Sequence, residues 1–338
     1  GTYKFYEKYN REIAGDDIGI IYNYETQADE KITVKIGISY VSIDNARKNL
    51  ETEQPAFDIA KTIQSASSEW ESVLSKIKVE GGTDDQKTIF YTALYHLHIH
   101  PNILQDVNGE YPAMESGKIL RTTGNRYTVF SLWDTYRNVH PLLSLLYPDM
   151  QLDMVHSMLD MYRESGWLPK WELFSRETLT MEGDPSLVVL NDTWQRGLRN
   201  FDTALAYEAM TKSANMEGTR NLMRPDNDDY LQLGYVPLRE KFDNSVSHAL
   251  EYYLADWNLA QFAKSLGKKD DYQLFLNRSL NYKHYFDPET KILRPKLPDG
   301  KFLVPFNPSQ GANFEDVPGF HEGSAWNYAF YIPHDITG

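Results

Sequence analysis

Six stretches of this chain carry helical patterning: residues 84–99, 129–146, 149–164, 202–213, 245–265 and 269–284. Long irregular segments, 101–128, 166–200 and 287–322, lie between them. Loops above about 12–15 residues are usually functional or disordered. These are rich in Trp, Tyr, Asp and Gly rather than in low-complexity sequence, so they read as ordered and functional. Paired antiparallel helices with long loops on one side predict an α/α toroid. No repeat is regular enough for a solenoid.

The first 80 residues read differently. In residues 1–45, Ile32, Val34, Ile36 and Ile38 alternate with Lys31, Thr33, Lys35 and Gly37, and Ile18–Tyr22 is a second short strand candidate. Two or three strands make a poor independent unit, so this segment is expected to be the tail of a β domain. From Ile43 the pattern turns helical, through Asn45–Leu50 and then Phe57–Ile77, with Trp70, Val73, Leu74 and Ile77 at helical spacing. Residues 46–80 are thus expected to form a helical linker. Glu80-Gly-Gly-Thr-Asp-Asp85 breaks it with capping chemistry, and residues 81–338 follow as the main domain.

Composition excludes several classes. The net charge of -14 argues against a nucleic-acid partner, which needs clustered Lys and Arg. No apolar run approaches the ~18 residues of a membrane span, and no charged-then-apolar leader opens the chain. Cysteine is absent, so thiolate metal sites and disulfides are excluded. Aromatic residues reach 13%, with 23 Tyr and 7 Trp; core packing accounts for most of them, and the rest hint at a carbohydrate or aromatic ligand.

Pro318-Gly-Phe-His-Glu-Gly-Ser-Ala-Trp326 is the most suggestive chemical motif. Glu322 lies beside His321, with Phe320 and Trp326 close by. Apolar walls would raise its pKa, and a carboxylic acid protonated near neutral pH is what a glycosidase uses to protonate a leaving oxygen. The plainer alternative is a Glu beside a helix start. In Phe130–Pro141, Trp133, Asp134 and Arg137 offer a platform for a sugar ring with a carboxylate and a guanidinium for its hydroxyls, or simply a capping Asp with an Asp–Arg pair. Gly166–Trp171 presents Trp167, and Met181–Pro185 presents Asp184, either as a helix cap or as part of a site. Glu251 allows a buried, paired carboxylate, on the helix that Asp243–Ser247 opens. His96, His98 and His100 read as helix-end residues in core contacts, and Asp226–Asp229 as a solvated acidic turn, since it lacks the Gly and distal Glu of an EF-hand.

Taken in order, these segments resemble glycoside hydrolase family 92, the calcium-dependent α-mannosidases. The matching stretches are Val41–Leu50, Phe130–Pro141, Gly166–Trp171, Gly183–Pro185 with Asn191-Asp192, Leu233–Pro237, Ser245–Ser247 with Leu250-Glu251, and Phe320–Trp326 with Pro333–Asp335. The resemblance implies a mainly α fold, an (α/α)6 toroid preceded by a β-sandwich and a helical linker. Residues 1–45 would be the last strands of that sandwich, and 81–338 a truncated toroid. It also implies an inverting exo-enzyme that releases α-linked mannose, often α-1,2-linked, from glycans, with Ca2+ as cofactor and secretion or the periplasm as its location. Glu322 matches the family's general acid. Trp133 and Asp134 match positions expected at the mannose subsite, and Arg137, Trp167, Asp184 and His321 join them as expected substrate contacts. The family's general base lies in an Asp-rich motif well after the Glu-Gly motif, and no match to it follows Glu322, so the chain is expected to be an internal fragment. The alternative is a non-catalytic helical toroid that binds glycans or a partner.

Overall fold

The computed structural model describes residues 15–16, 18–239, 244–311 and 317–338. It divides into two units, Gly1–Ile36 and Gly37–Gly338. In the first, the described residues form a turn at Gln27–Glu30 and neither helix nor strand. The alternation at Lys31–Ile38 and the run Ile18–Tyr22 therefore do not become strands: a strand needs a neighbour's backbone, and none pairs with them among the described residues. Ile18, Ile20, Ile32, Val34 and Ile36 are all exposed. Residues 1–14 and 17 of the expected strand segment lie outside the described residues, as does Asp243.

The second unit is mainly helical. Helices α1 (Ile43–Glu53) and α2 (Ile59–Leu74) span most of residues 43–80, and α3 (Asp84–His96) follows. Each opens on a side-chain cap: Ser42 accepts from the Asn45 amide, Asp58 from that of Lys61, and Thr83 forms a reciprocal box with Gln86. Asn45 and Asn49 on α1 both donate to the Asp106 carboxylate, at 2.8 and 2.7 Å, which ties α1 to the loop beyond α3.

That loop is built from short antiparallel pairs. Strand β1 (Asn102–Ile103) pairs with β4 (Tyr127–Thr128), and β2 (Glu110–Pro112) with β3 (Ile119–Arg121). The helix expected over 129–146 is broken. Val129 takes a φ of 65°, and Phe130-Ser131 becomes strand β5, which pairs with a later loop strand, β6 (Trp171–Leu173), itself paired to β7 (Arg176–Glu177). Only then do the short α4 (Leu132–Thr135) and α5 (Val139–Leu146) follow. The β5–β6 pairing seats the 166–173 loop against the start of α4.

Helices α6 (Pro148–Ser165), α8 (Thr203–Asn215), α10 (Ser245–Ser265) and α11 (Lys269–Ser279) lie close to their expected positions. Helix α7 (Pro185–Gln195) interrupts what reads as irregular sequence, and the short α9 (Asn227–Leu233) replaces the acidic turn. A small hairpin, β8 (Phe286–Asp287) with β9 (Ile292–Leu293), and α12 (Ala325–Tyr328) complete the unit. Helix α10 is its centre. It packs against α7, α8 and α11, and buried residues occur on all its sides, as for a helix enclosed by others. Its first half joins one core cluster with Tyr230, Tyr285 and Phe320; its second half joins another with Met158, Leu190 and Phe275.

Candidate active site

The start of α10 and the Val317–Glu322 turn are built onto each other. The Gly319 carbonyl accepts from the amides of Val246 and Ser247, at 2.9 and 3.1 Å. Ser247 Oγ in turn accepts from the His321 amide at 2.9 Å. Gly319 has a φ of 88°, and a Cβ there would meet Pro295 Cγ at 2.6 Å, so only glycine fits. Three residues on, Glu322 takes a φ of 50°, a left-handed conformation that costs a side-chain-bearing residue about 1 kcal/mol or more and that clusters at functional sites.

Asn244, His248 and Glu251 follow at i, i+4 and i+7, so they share one face of α10 and its first turn. Glu251 is 2% exposed. Its Oε1 accepts from Trp133 Nε1 at 2.9 Å and from Arg137 Nη2 at 2.8 Å, and the Tyr136 hydroxyl approaches Oε2 at 3.2 Å. Burial raises the Glu251 pKa, opposed by Arg137 and by hydrogen bonds from Tyr331, Trp133 and Tyr136. The Arg137 guanidinium lies over the rings of Tyr136, Tyr331 and Trp133, at 4.6, 5.1 and 5.3 Å. The Tyr136 and Tyr331 hydroxyls bond to each other, closing this wall.

The Glu182–Asp184 segment supplies three different contacts. Glu182, 2% exposed, lies against His248 Nε2, and its Oε1 is 3.0 Å from both His321 Nδ1 and Asn244 Nδ2. Gly183, at φ 79°, passes so close to α10 that a Cβ would come within 2.4 Å of Glu251 Cβ. Asp184 stands at the N-cap position of α7 but makes no capping bond; it pairs with the buried Arg224 at 2.9 Å. Arg224 continues to Asp256 at 2.8 Å, and Asp256 to Arg278 at 2.9 Å. Beyond Glu182, His248 Nδ1 is 2.7 Å from Asp226.

The structure thus brings Trp133, Arg137 and His321 together. The His321 ring meets Trp133 edge-on at 6.0 Å between centroids, and His321 Nε2 is 3.8 Å from Glu322 Oε1. Asp134 turns instead to Ser131 Oγ, and Arg137 pairs with Glu251 rather than Asp134, so the expected Asp–Arg pair is not made. Trp167 packs under Lys212 of α8, 4.5 Å away, and Asp184 belongs to the buried Arg224 network. Glu322 is not walled by aromatic rings: its side chain is 38% exposed. Trp326 points out of α12 into solvent and bonds Ser309, while Phe320 packs inward on Tyr328.

Sequence patterning did not single out Glu182 or His248, and it read Asp226 only as part of an acidic turn. The solvated-turn expectation for Asp226–Asp229 is corrected: Asp226 binds His248, Asp228 accepts from the Gly218 amide, and Asp229 holds Arg239. The partners of Glu182, His248 and Asp226 lie tens of residues away in the chain, so no local pattern joins them to this face. His98 is half-buried, edge-on to Tyr147 at 4.6 Å, whereas His96 and His100 are exposed, so the core contact expected of all three is not made by those two.

Residues 45–338 match the family model for the glycosyl hydrolase family 92 catalytic domain. The chain belongs to that family. A solved family 92 α-mannosidase from Bacteroides thetaiotaomicron superposes with a TM-score of 0.77 at 36% identity, over 87% of this chain and 38% of that one. The same enzyme in complex with mannoimidazole gives a TM-score of 0.79. A family 92 inverting mannosidase from the same organism gives 0.80 at 30% identity, over 87% of this chain and 40% of that one. A curated relative, an uncharacterized secreted glycosidase of Arthroderma benhamiae, is 26% identical over 350 residues, which is 91% of this chain and 39% of the relative. The chain spans about two-fifths of the length of these relatives. Its mainly helical fold is that of the α/α toroid of family 92 structures.

Among the described residues, no three His, Asp or Glu side chains converge on one point. Glu251 is engaged by Arg137, Glu182 by two imidazoles, and Asp184 and Asp256 by Arg224.

Proposed function

We propose that this family 92 chain belongs to a secreted α-mannosidase that releases terminal α-linked mannose, with Glu322 donating the proton to the departing glycosidic oxygen. One observation carries the assignment. The Glu322 carboxyl stands at an accessible edge beside His321, and His321 adjoins Trp133, so acid, aromatic surface and the Arg137–Glu251 pair share one wall. An aromatic face suits the apolar face of a pyranose, and charged groups beside it suit the hydroxyls. The mannoimidazole complex and the inverting mannosidase among the relatives support mannose as the sugar and inversion as the outcome. Inversion requires a second carboxylate about 6.5–9.5 Å from the acid to activate water; that base is not assigned to a residue here. We take the α-1,2 linkage as the first substrate to try. The secreted relative supports an extracellular location, and no helix among the described residues is long and apolar enough to cross a membrane.

The test is mannose release from α-1,2-mannobiose by the chain and by Glu322→Gln, each with calcium and with chelator. Release that Glu322→Gln abolishes supports the proposal, and its loss on chelation would add calcium to it. Binding of mannobiose without release by the folded wild-type chain would support a glycan-binding role instead.

A further inference from the structure

Glu322 poses a physical problem as an acid. Over a third of its side chain is exposed and no apolar residues enclose it, so the polar groups beside it must orient its proton. The neighbouring atom is His321 Nε2, 3.8 Å away. It serves as an acceptor only if the ring's single proton sits on Nδ1.

The surroundings of Nδ1 decide this. His321 Nδ1, Glu182 Oε1 and Asn244 Nδ2 form a triangle with edges of 3.0, 3.0 and 2.8 Å. If Nδ1 were unprotonated and accepted from Asn244, its lone pair would face a buried carboxylate oxygen at 3.0 Å. If Nδ1 carries the proton, both nitrogens donate to Glu182, and the buried charge is satisfied. We propose that Glu182 is a positioning residue that holds His321 as its Nδ1–H tautomer and so turns an unprotonated Nε2 toward Glu322.

Glu182 is itself braced. Its second oxygen lies against His248 Nε2, and the far side of that ring meets Asp226. Burial, with Lys170 and His321 nearby, pushes the His248 pKa down to about 3, while the two carboxyls against its ring nitrogens act in the opposite direction. The charged or titratable groups around His321 are then Glu182, His248 and, beyond it, Asp226 and Lys170, with Glu322 on its own turn and Tyr328, which donates to the His321 carbonyl at 2.7 Å. The 3.8 Å gap to Glu322 is longer than a hydrogen bond, as catalytic contacts often are before substrate tightens them.

The inference rests on Glu322 as the acid, but its first test does not depend on turnover. In the 15N-histidine-labelled chain, long-range 15N–1H spectra report which ring nitrogen of His321 is protonated, with the signal assigned from His321→Gln. The wild type should show the Nδ1–H form near neutral pH. Asn244→Ala should keep it, and Glu182→Ala should lose the preference. A wild-type His321 protonated on Nε2, or a tautomer that changes in Asn244→Ala but not in Glu182→Ala, overturns the proposal. Where mannose release is measurable, Glu182→Ala should lower kcat more than Glu182→Gln, which keeps an acceptor for Nδ1–H. Equal losses in the two variants would reduce Glu182 to a structural role and contradict the inference. A wild type without mannosidase activity would remove the mannosidase assignment and leave the tautomer to decide this one.

Discussion

At the residue scale, the strongest commitments are charges held out of water. Burial raises the Glu251 pKa, and Arg137 with the donors of Trp133 and Tyr136 opposes that by favouring the charged form. Removing one partner of a buried pair costs about 3–5 kcal/mol, since the other is left uncompensated. Arg137 is over a third exposed, so water takes up part of that loss. Arg137→Met should accordingly lower stability by about 2 kcal/mol, read as a shift in urea midpoint, with any mannose release lost as well. His140 tests burial from the other side. It is enclosed between Gln151 and Thr135, and burial depresses its pKa to about 4. A histidine with a depressed folded pKa contributes fully above its unfolded value of about 6.5, and that contribution is lost as pH falls below it. Stability should therefore drop by about 3 kcal/mol between pH 6.5 and 4. His140→Gln should remove that contribution in urea titrations, leaving any further drop that His248, depressed more, adds.

At the element scale, the helices that patterning located best are those whose neighbours ask nothing unusual of them. Helices α6 and α8 follow their apolar periodicity because they pack chiefly against other helices, and α10 is long and apolar enough to be enclosed on all its sides. Two elements were not legible. The 129–146 stretch is interrupted because Phe130-Ser131 pairs with Trp171 and Glu172, a contact 40 residues away that no local pattern encodes. Helix α7 starts at Pro185 after an Asp that reads as its cap, yet Asp184 is spent on Arg224 instead. The close approach of Gly183 to α10 is a constraint of the same long-range kind. Gly183 and Gly197 both have left-handed φ, but a Cβ at Gly197 meets open space. Gly197→Ala should cost about 1 kcal/mol of strain, whereas Gly183→Ala adds the collision with Glu251 and should cost about 1–3 kcal/mol more. Equal losses in the two variants, measured by urea unfolding, would show that the α7–α10 approach is looser than these distances state.

At the scale of the whole molecule, the Asp184–Arg224–Asp256–Arg278 network joins the start of α7 to α10 and α11. Arg224→Leu should be among the most destabilising single changes in the chain, by about 3–5 kcal/mol, because it leaves buried Asp184 without its cation and takes one of two from Asp256; a midpoint within error of wild type would contradict that. The family and the toroid were legible in the sequence because ordered short motifs survive across the chain. The wall of the site was legible in part: Trp133, Arg137, His321 and Glu322 adjoin, while Trp167 and Asp184 serve packing and ion pairs elsewhere. Motif residues carry no record of which neighbour they face. The central claim, that Glu322 delivers the proton, is tested most directly by comparing two substrates of Glu322→Gln. General-acid catalysis contributes about 10²–10⁴-fold, and only where the leaving group needs a proton. Glu322→Gln should lose a factor of that order on α-1,2-mannobiose and far less on dinitrophenyl α-mannoside, whose leaving group departs without help. Equal losses on both substrates, or none on either, would contradict the assignment.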